Sequence, residues 1–220
     1  MNIVNRLPPF GLVREFLGSE TVERLLAYAH TNQHLFRDTT VGYGEEREVN
    51  KTRRCSSALR ERVLRENGDF AARVEMRMKQ LMPAMIERLG NTPFVPHKFE
   101  VEMVAHGDGA HFTQHIDLST GERHLESDRV ISCVYYFHAM PKAFSGGVLR
   151  LHSLGASGQP DTFVDIEPLL DTLVYFPSWF PHEVLLVSCP SGRFIDSRFA
   201  INCWIHRARQ SQVNDFVELL

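Results

Sequence analysis

The 220-residue sequence predicts a mainly β fold with flanking helices, two sheets face to face as a sandwich or jelly roll. Three observations carry that expectation. From Phe99 onward apolar and polar residues alternate with a period of two; the first third instead repeats its apolar residues at helical spacing; and no long helical pattern interrupts the later strands. The strands should therefore build the core, with the helices packed outside it.

In chain order, Ser19 is placed to cap a helix running through Leu25, Leu26 and Tyr28 to about Thr31, with Glu20 and Glu23 where the helix dipole favours negative charge. Val41 to Arg54 reads as a loop, with Gly42 and Gly44 followed by a run of charges, and a long loop in a compact domain is either functional or mobile. A second helix is expected over Asp69 to Leu89, because Phe70, Val74, Met78, Leu81, Met85 and Leu89 recur at steps of three and four. Gly90 should stop it and Pro83 should kink it. Seven strands follow: Phe99 to Met103, Val130 to Phe137, Gly147 to Leu151, Thr162 to Ile166, Thr172 to Phe176, Glu183 to Val187 and Arg198 to Ile205. No internal repeat or low-complexity tract divides the chain, so residues 1–220 are expected to form one domain, helical over about 1–92 and β over about 97–207.

Composition narrows the function classes. Hydrophobic residues at 43% and charged residues at 23% suit a folded domain with a sizeable core, and a net charge of −3 supplies no general attraction to nucleic acid. Met1 to Phe10 lacks the apolar stretch of a secretory signal, and no apolar run approaches membrane-spanning length, so a soluble cytoplasmic protein that binds neither nucleic acid nor membrane is expected. Cys55, Cys133, Cys189 and Cys203 are scattered without a CxxC pair and read as buried thiols.

The chemistry concentrates between His106 and Asp117. His111 and His115 stand four apart, but Phe112 occupies the place of a metalloprotease glutamate and Gly107 and Gly109 discourage a helix. In an extended strand His115 and Asp117 instead share a face and offer one nitrogen and one oxygen to a single metal. A third ligand must come from a later strand, and His182, after Pro181, is the candidate. Two imidazoles and one carboxylate on one face of an octahedron suit non-haem Fe(II) and leave positions for a chelating cosubstrate and dioxygen. In the last strand, Arg198, Ala200, Asn202 and Trp204 share a face that makes a sensible ligand wall, and Phe199, Ile201, Cys203 and Ile205 share an apolar packing face. Arg198 is a permanent cation whose planar fork matches a carboxylate.

The ordered set His115, Asp117, RVISCVYY (129–136), SGGVLR (145–150), DIEP (165–168), Phe176, Pro177, HEV (182–184) and Arg198 to Trp204 resembles Fe(II)- and 2-oxoglutarate-dependent oxygenases of the prolyl hydroxylase type. The resemblance covers about half the chain, Phe99 to Ile205, and implies a double-stranded β-helix (jelly roll) core. It further implies His115, Asp117 and His182 as catalytic iron ligands, with Arg198 and Tyr136 on the distal carboxylate of 2-oxoglutarate. Gly146 and Gly147 fit a close approach of two strands beneath the site.

The activity so implied is hydroxylation of an unactivated C–H bond by an Fe(II)-dependent dioxygenase that consumes O2 and 2-oxoglutarate and releases succinate and CO2. Ascorbate is a candidate reductant. The substrate would be a peptide, a protein or a small amino-acid-like molecule; oligomeric state is left open. Two departures bear on the site. The basic residue lies farther from the distal histidine than in relatives, so Arg193 competes with Arg198 as the anchor; the register of Trp204 favours Arg198 and makes Cys189 to Ser197 an inserted loop. His106 stands where relatives often carry a tyrosine, and it either lines the pocket or faces solvent. The competing class is a non-catalytic jelly-roll protein that binds a metal or a small acid as a sensor, and it has no use for Arg198 and Tyr136 together.

Overall fold

The computed structural model describes residues 7–42, 47–66, 69–118, 126–154 and 162–209. Seven strands of a large antiparallel sheet come from both ends of the chain: β1 (Gly11–Arg14), β2 (Arg37–Asp38), β4 (Ser57–Leu59), β5 (Lys98–His106), β7 (Ser127–Phe137), β11 (Thr172–Pro177) and β14 (Arg198–Ala208). Their order is β1-β11-β7-β14-β5-β4-β2. A second, five-stranded sheet runs β10 (Phe163–Ile166), β9 (Leu149–His152), β12 (His182–Val184), β6 (His111–His115) and β3 (Arg54–Cys55). A two-stranded ribbon joins β8 (Ser145–Gly146) to β13 (Val187–Ser188). Every pairing is antiparallel, and the two larger sheets make the jelly roll that the strand pattern predicts.

Helices α1 (Ser19–Thr31), α2 (Glu61–Glu66) and α3 (Phe70–Leu89) complete the described elements, with two short 3-10 turns. The period of two decides what the large sheet gives them. Val101 and Met103 of β5, Cys133 and Tyr135 of β7, and Phe199, Ile201, Cys203 and Ile205 of β14 face one way and are buried with Leu25 and Ala29 of α1 and Val74, Met78 and Met85 of α3. Each such side chain contributes about 1.5–3 kcal/mol through burial, so this helix–sheet layer is the principal core. The alternate face closes against the second sheet through a smaller cluster that includes Tyr136, Leu151, Val174, Phe176 and Ala200. Polar residues of that face are left to line a cavity between the sheets.

Several local expectations change. Ser19 is not the cap of α1: Gly18 holds the N-cap position, and no side chain of its own neighbourhood bonds there. Asp171 does the capping from across the fold, its Oδ1 accepting from the Leu17 N–H and its Oδ2 from the Gly18 N–H, both at 2.9 Å. The Tyr135 hydroxyl also donates to Asp171 Oδ1 at 2.8 Å, which ties helix and sheet to one carboxylate. In α3 Met82 is buried where Leu81 was expected, and the helix runs unbroken past Pro83, whose side chain faces solvent. There the carbonyl left without a proline N–H can be hydrated. Gly90 takes the left-handed C-cap with φ 67°.

The helical N-terminal part also supplies β1, β2, β3 and β4, two to four residues each and too short for an alternation to be read. The strand expected over Glu183 to Val187 divides instead into β12 and β13, because the chain changes partner from β9 to β8. Gly147, with φ 68°, likewise lies outside strand geometry just after β8, and the next strand starts at Leu149. In the loop 41–54, Val41 bridges to Glu48 and Arg54 enters β3, while residues 43–46 lie outside those described. Cys133, Cys189 and Cys203 are buried and Cys55 half-buried, all as free thiols. No helix among the described residues is long and apolar enough to cross a membrane. Asp171→Ala, which strands two backbone N–H groups and a buried phenol, should lower unfolding free energy by about 3 kcal/mol in urea titration and raise amide exchange first in α1.

Candidate metal centre

His115 ends β6 and His182 opens β12, and the two are register partners, so pairing of these strands sets the imidazoles side by side with ring centroids 4.2 Å apart. Asp117 lies just past β6, its N–H donating to the Ser178 carbonyl at 2.9 Å. Its carboxylate reaches both rings: Oδ1 is 3.7 Å from His115 Nε2, and Oδ2 is 3.5 Å from His182 Nε2. One ligand atom from each residue fits within a 4.8 Å span, the arrangement of a three-ligand metal site.

Hydrogen bonds prepare these atoms. His115 Nδ1 lies 2.8 Å from the Thr113 carbonyl and His182 Nδ1 lies 3.0 Å from the Phe180 carbonyl. A carbonyl only accepts, so each Nδ1 carries the proton and each Nε2 turns a lone pair toward Asp117. Burial and the neighbouring His182 lower the His115 pKa to about 3, which keeps the ring neutral. Burial alone would raise the Asp117 carboxyl, but His182, His115, Arg129 and the Ser132 hydroxyl hold it below the usual carboxylate range. Ser132 donates to Asp117 Oδ2 at 2.6 Å. Phe112 stacks on His115 with centroids 3.5 Å apart, and the Phe176 ring stands against His182.

Deeper in the same cavity is Arg198, 1% exposed and the largest fully buried side chain. Its Nη1 donates to His106 Nδ1 at 3.1 Å, while Nε and Nη2, also buried, find no hydrogen-bond partner among the described residues. The guanidinium carbon lies 4.8 Å from the Tyr136 ring centre, and the Tyr136 hydroxyl is likewise buried without a partner. Burial pushes the Tyr136 phenol up to about 12, against the opposing pull of Arg198. His106 is buried and lines the cavity, which answers the question its place in the sequence left open. Since a guanidinium only donates, His106 Nδ1 must be the accepting nitrogen; burial and the Arg198 and Arg54 charges hold its pKa well below the usual value. A Cβ on Gly147 would come within 2.5 Å of Arg198 Cδ, so glycine there makes room for the arginine as well as for the strands.

Arg193 is elsewhere. Its side chain is 70% exposed and pairs with Asp196 at 2.8 Å, in a loop that includes a 3-10 turn at Phe194–Asp196. Sequence reasoning overlooked the rest of the cavity wall: Ser132, the Arg54–Glu102 pair at 2.9 Å and the Arg129–Glu100 pair at 2.7 Å. The signal was present in the alternation, which puts Ser132 on the face of Tyr136 and both glutamates on the face of His106. The cavity itself measures about 320 Å³, and the segment 37–42 together with Arg47, Arg53 and Arg54 forms part of its wall.

Residues 101–206 match the model of the 2OG-Fe(II) oxygenase superfamily. An uncharacterized PKHD-type hydroxylase from Synechocystis is 29% identical over 204 residues, and the match takes in 90% of this chain and 63% of that protein. Among solved structures, a Pseudomonas putida prolyl-4-hydroxylase superposes with a TM-score of 0.65 at 24% identity, over 91% of this chain and 94% of that one. A Trichoplax adhaerens prolyl hydroxylase, solved with a hypoxia-inducible-factor peptide fragment, gives 0.60 at 21% identity, over 91% and 84%. The superfamily match thus takes in just under half of the chain, and the chain is prolyl hydroxylase-like in fold.

Glu100 carries a testable charge. Burial opposes its ionisation, but hydrogen bonding from His206 and the charge of Arg129 bring its pKa from 4.5 to about 2. A carboxyl with a lowered folded-state pKa stabilises the fold above its unfolded value and loses that contribution as pH falls from about 4.5 toward 2. Thermal melts from pH 6 to pH 3 should therefore show a flatter acid limb for Glu100→Gln than for the native protein, from a lower starting stability.

Proposed function

We propose that the protein is an Fe(II)- and 2-oxoglutarate-dependent hydroxylase acting on a peptidyl or free amino-acid side chain. The observation that carries this reading is the buried guanidinium with two nitrogens unpaired among the described residues, beside a buried phenol likewise unpaired, the guanidinium lining the same cavity as a two-histidine, one-carboxylate cluster. Desolvating a charge and leaving its donors unbonded costs several kcal/mol, and an anion bound there would offset that cost. A metal-binding sensor has no need of it. The neighbouring chemistry of 2-oxoglutarate fits both features: one end chelates a metal and the other presents a carboxylate.

In this reading His115, Asp117 and His182 hold Fe(II), and Arg198 and Tyr136 hold the distal carboxylate of 2-oxoglutarate. When bound with O2, the metal and cosubstrate supply the oxidation that hydroxylates a C–H bond and leaves succinate and CO2. The chain's own residues orient and shield. Hydrogen bonds at Nδ1 hold the two imidazoles in the ligating tautomer, and Ser132 fixes one carboxylate oxygen of Asp117. His106, kept neutral, accepts a hydrogen bond from Arg198 Nη1 and so leaves the remaining donors free for a ligand in the cavity. Arg198 and Arg193 were rivals for the anchor; the burial of the first and the exposed Asp196 pair of the second favour Arg198. The prolyl hydroxylase likeness of the fold supports a side chain of a peptide as substrate.

Anaerobic addition of Fe(II) and 2-oxoglutarate to the full chain should produce the weak visible charge-transfer band of the chelate, and O2 should then yield succinate. A missing band would sink the reading. Asp117→Ala should lower succinate formation by roughly 100-fold or more, measured by mass spectrometry. Gly147→Ala, crowding Arg198 from a residue at φ 68°, should raise KM for 2-oxoglutarate by about tenfold with a smaller effect on kcat, whereas a general folding defect would lower kcat at unchanged KM.

A further inference from the structure

The charges around the cavity are unevenly matched. Each carboxylate that lines it outside the candidate metal centre has a cation of its own: Asp38 with Lys51 at 2.9 Å, Glu61 with Arg65 at 2.8 Å, Glu100 with Arg129 and Glu102 with Arg54. Arg37, Arg47, Arg53 and Arg60 line the same cavity, are exposed, and have no carboxylate partner among the described residues. Among the described residues Arg37 donates to the His34 and Phe36 carbonyls. Among the described residues the mouth therefore presents four cations with no paired carboxylate, although the whole chain carries −3.

The placement of these four side chains says what shape of anion they suit. Arg37 is on β2, the outermost strand of the large sheet, and Arg60 follows β4, which pairs with it. Arg53 immediately precedes β3, the outermost strand of the second sheet, and Arg47 adjoins the Val41–Glu48 bridge. Cations thus stand on both sheet edges that border the cavity instead of converging on one point, and an extended chain bearing several carboxylates can meet them together. Both edge strands also have one side unpaired within the described sheets, ready for main-chain hydrogen bonds. A nucleic acid strand fits less well. The two non-histidine aromatic rings of the lining, Phe112 and Trp204, already carry a guanidinium, Arg54 at 4.8 Å and Arg129 at 3.9 Å from the ring centre, which competes with a stacking base.

We infer that the substrate is an acidic polypeptide segment, held across the mouth by Arg37, Arg60, Arg47 and Arg53 while one of its side chains enters the cavity. The inference rests on the hydroxylase reading and adds the charge class of the substrate. It is tested with a fluorescein-labelled decapeptide of Glu and Ala around one Pro, its Lys-for-Glu twin, N-acetylglutamate and a ten-nucleotide oligothymidylate, each titrated against the full chain by anisotropy or competition. The acidic peptide should bind at least about tenfold more tightly than its twin and than N-acetylglutamate, and its affinity should fall severalfold between 50 and 300 mM salt. The paired reversals Arg47→Glu with Arg53→Glu, and Arg37→Glu with Arg60→Glu, should each weaken it about tenfold in proteins whose circular dichroism is unchanged. Equal binding of the two peptides, equal binding of N-acetylglutamate, tighter binding of the oligonucleotide, or indifference to both reversals would each overturn the inference. The anaerobic charge-transfer band separates the two failures: its absence removes the hydroxylase reading, and its presence without a peptide preference removes only the acidic substrate.

Discussion

A guanidinium buried at 1% exposure, with one nitrogen hydrogen-bonded to a histidine and two without a hydrogen-bond partner among the described residues, is the constraint around which the rest of the cavity is arranged. Arg198 heads β14 and is the register partner of His106 on β5, while the next inward-facing residue, Ala200, is the partner of Tyr136 on β7. Three central strands therefore present the cation, its acceptor and the phenol as adjacent side chains on one surface. Glycine at 147 keeps the space for the arginine stem. A cation in such a place is costly to the isolated fold, and the cost is the physical reason to look for an anionic ligand there.

The metal cluster depends on the other sheet, and by a different device. Pairing of β6 with β12 brings the two histidines together, and local carbonyls set which nitrogen of each is free. Asp117 is held by its own backbone bond to Ser178 and by the hydroxyl of Ser132, which belongs to the large sheet. The cluster is thus braced from both sides of the sandwich, and the donor atoms are ordered before any ion arrives. Such preparation keeps the reorganisation needed on binding small.

The large sheet serves two purposes by alternation. One face is apolar and meets the helices; the other carries Glu100, Glu102, His106, Ser132, Arg198, Asn202 and Trp204 toward the cavity, with Tyr136 packed beside Arg198. The strong core lies on the helix side, so the polar wall is supported without itself contributing much burial. Short strands from the N-terminal part complete the sheet edges and bring arginines to the mouth. Rigid central strands hold the reacting groups, and edge segments meet what enters.

Much of this was legible in the sequence. Alternation over Phe99 to Met103 and Arg198 to Ile205 marked the strands and told their two faces apart, and the helical repeat from Phe70 to Leu89 marked the long helix down to its glycine stop. His115 and Asp117 stood out as a local pair because a strand puts such residues on one face. The N-terminal strands of two to four residues were not legible, since so few positions show no period, and neither was a helix capped by Asp171, far away in sequence. Periodicity names the face a residue occupies but not the strand opposite it. The sequence could nominate His182 and Arg198, but only the tertiary structure sets His182 beside His115, buries Arg198 while leaving Arg193 exposed, and joins Ser132 to Asp117, because pairing and register between distant strands are fixed by the packing of the whole sandwich and not by any local run of residues.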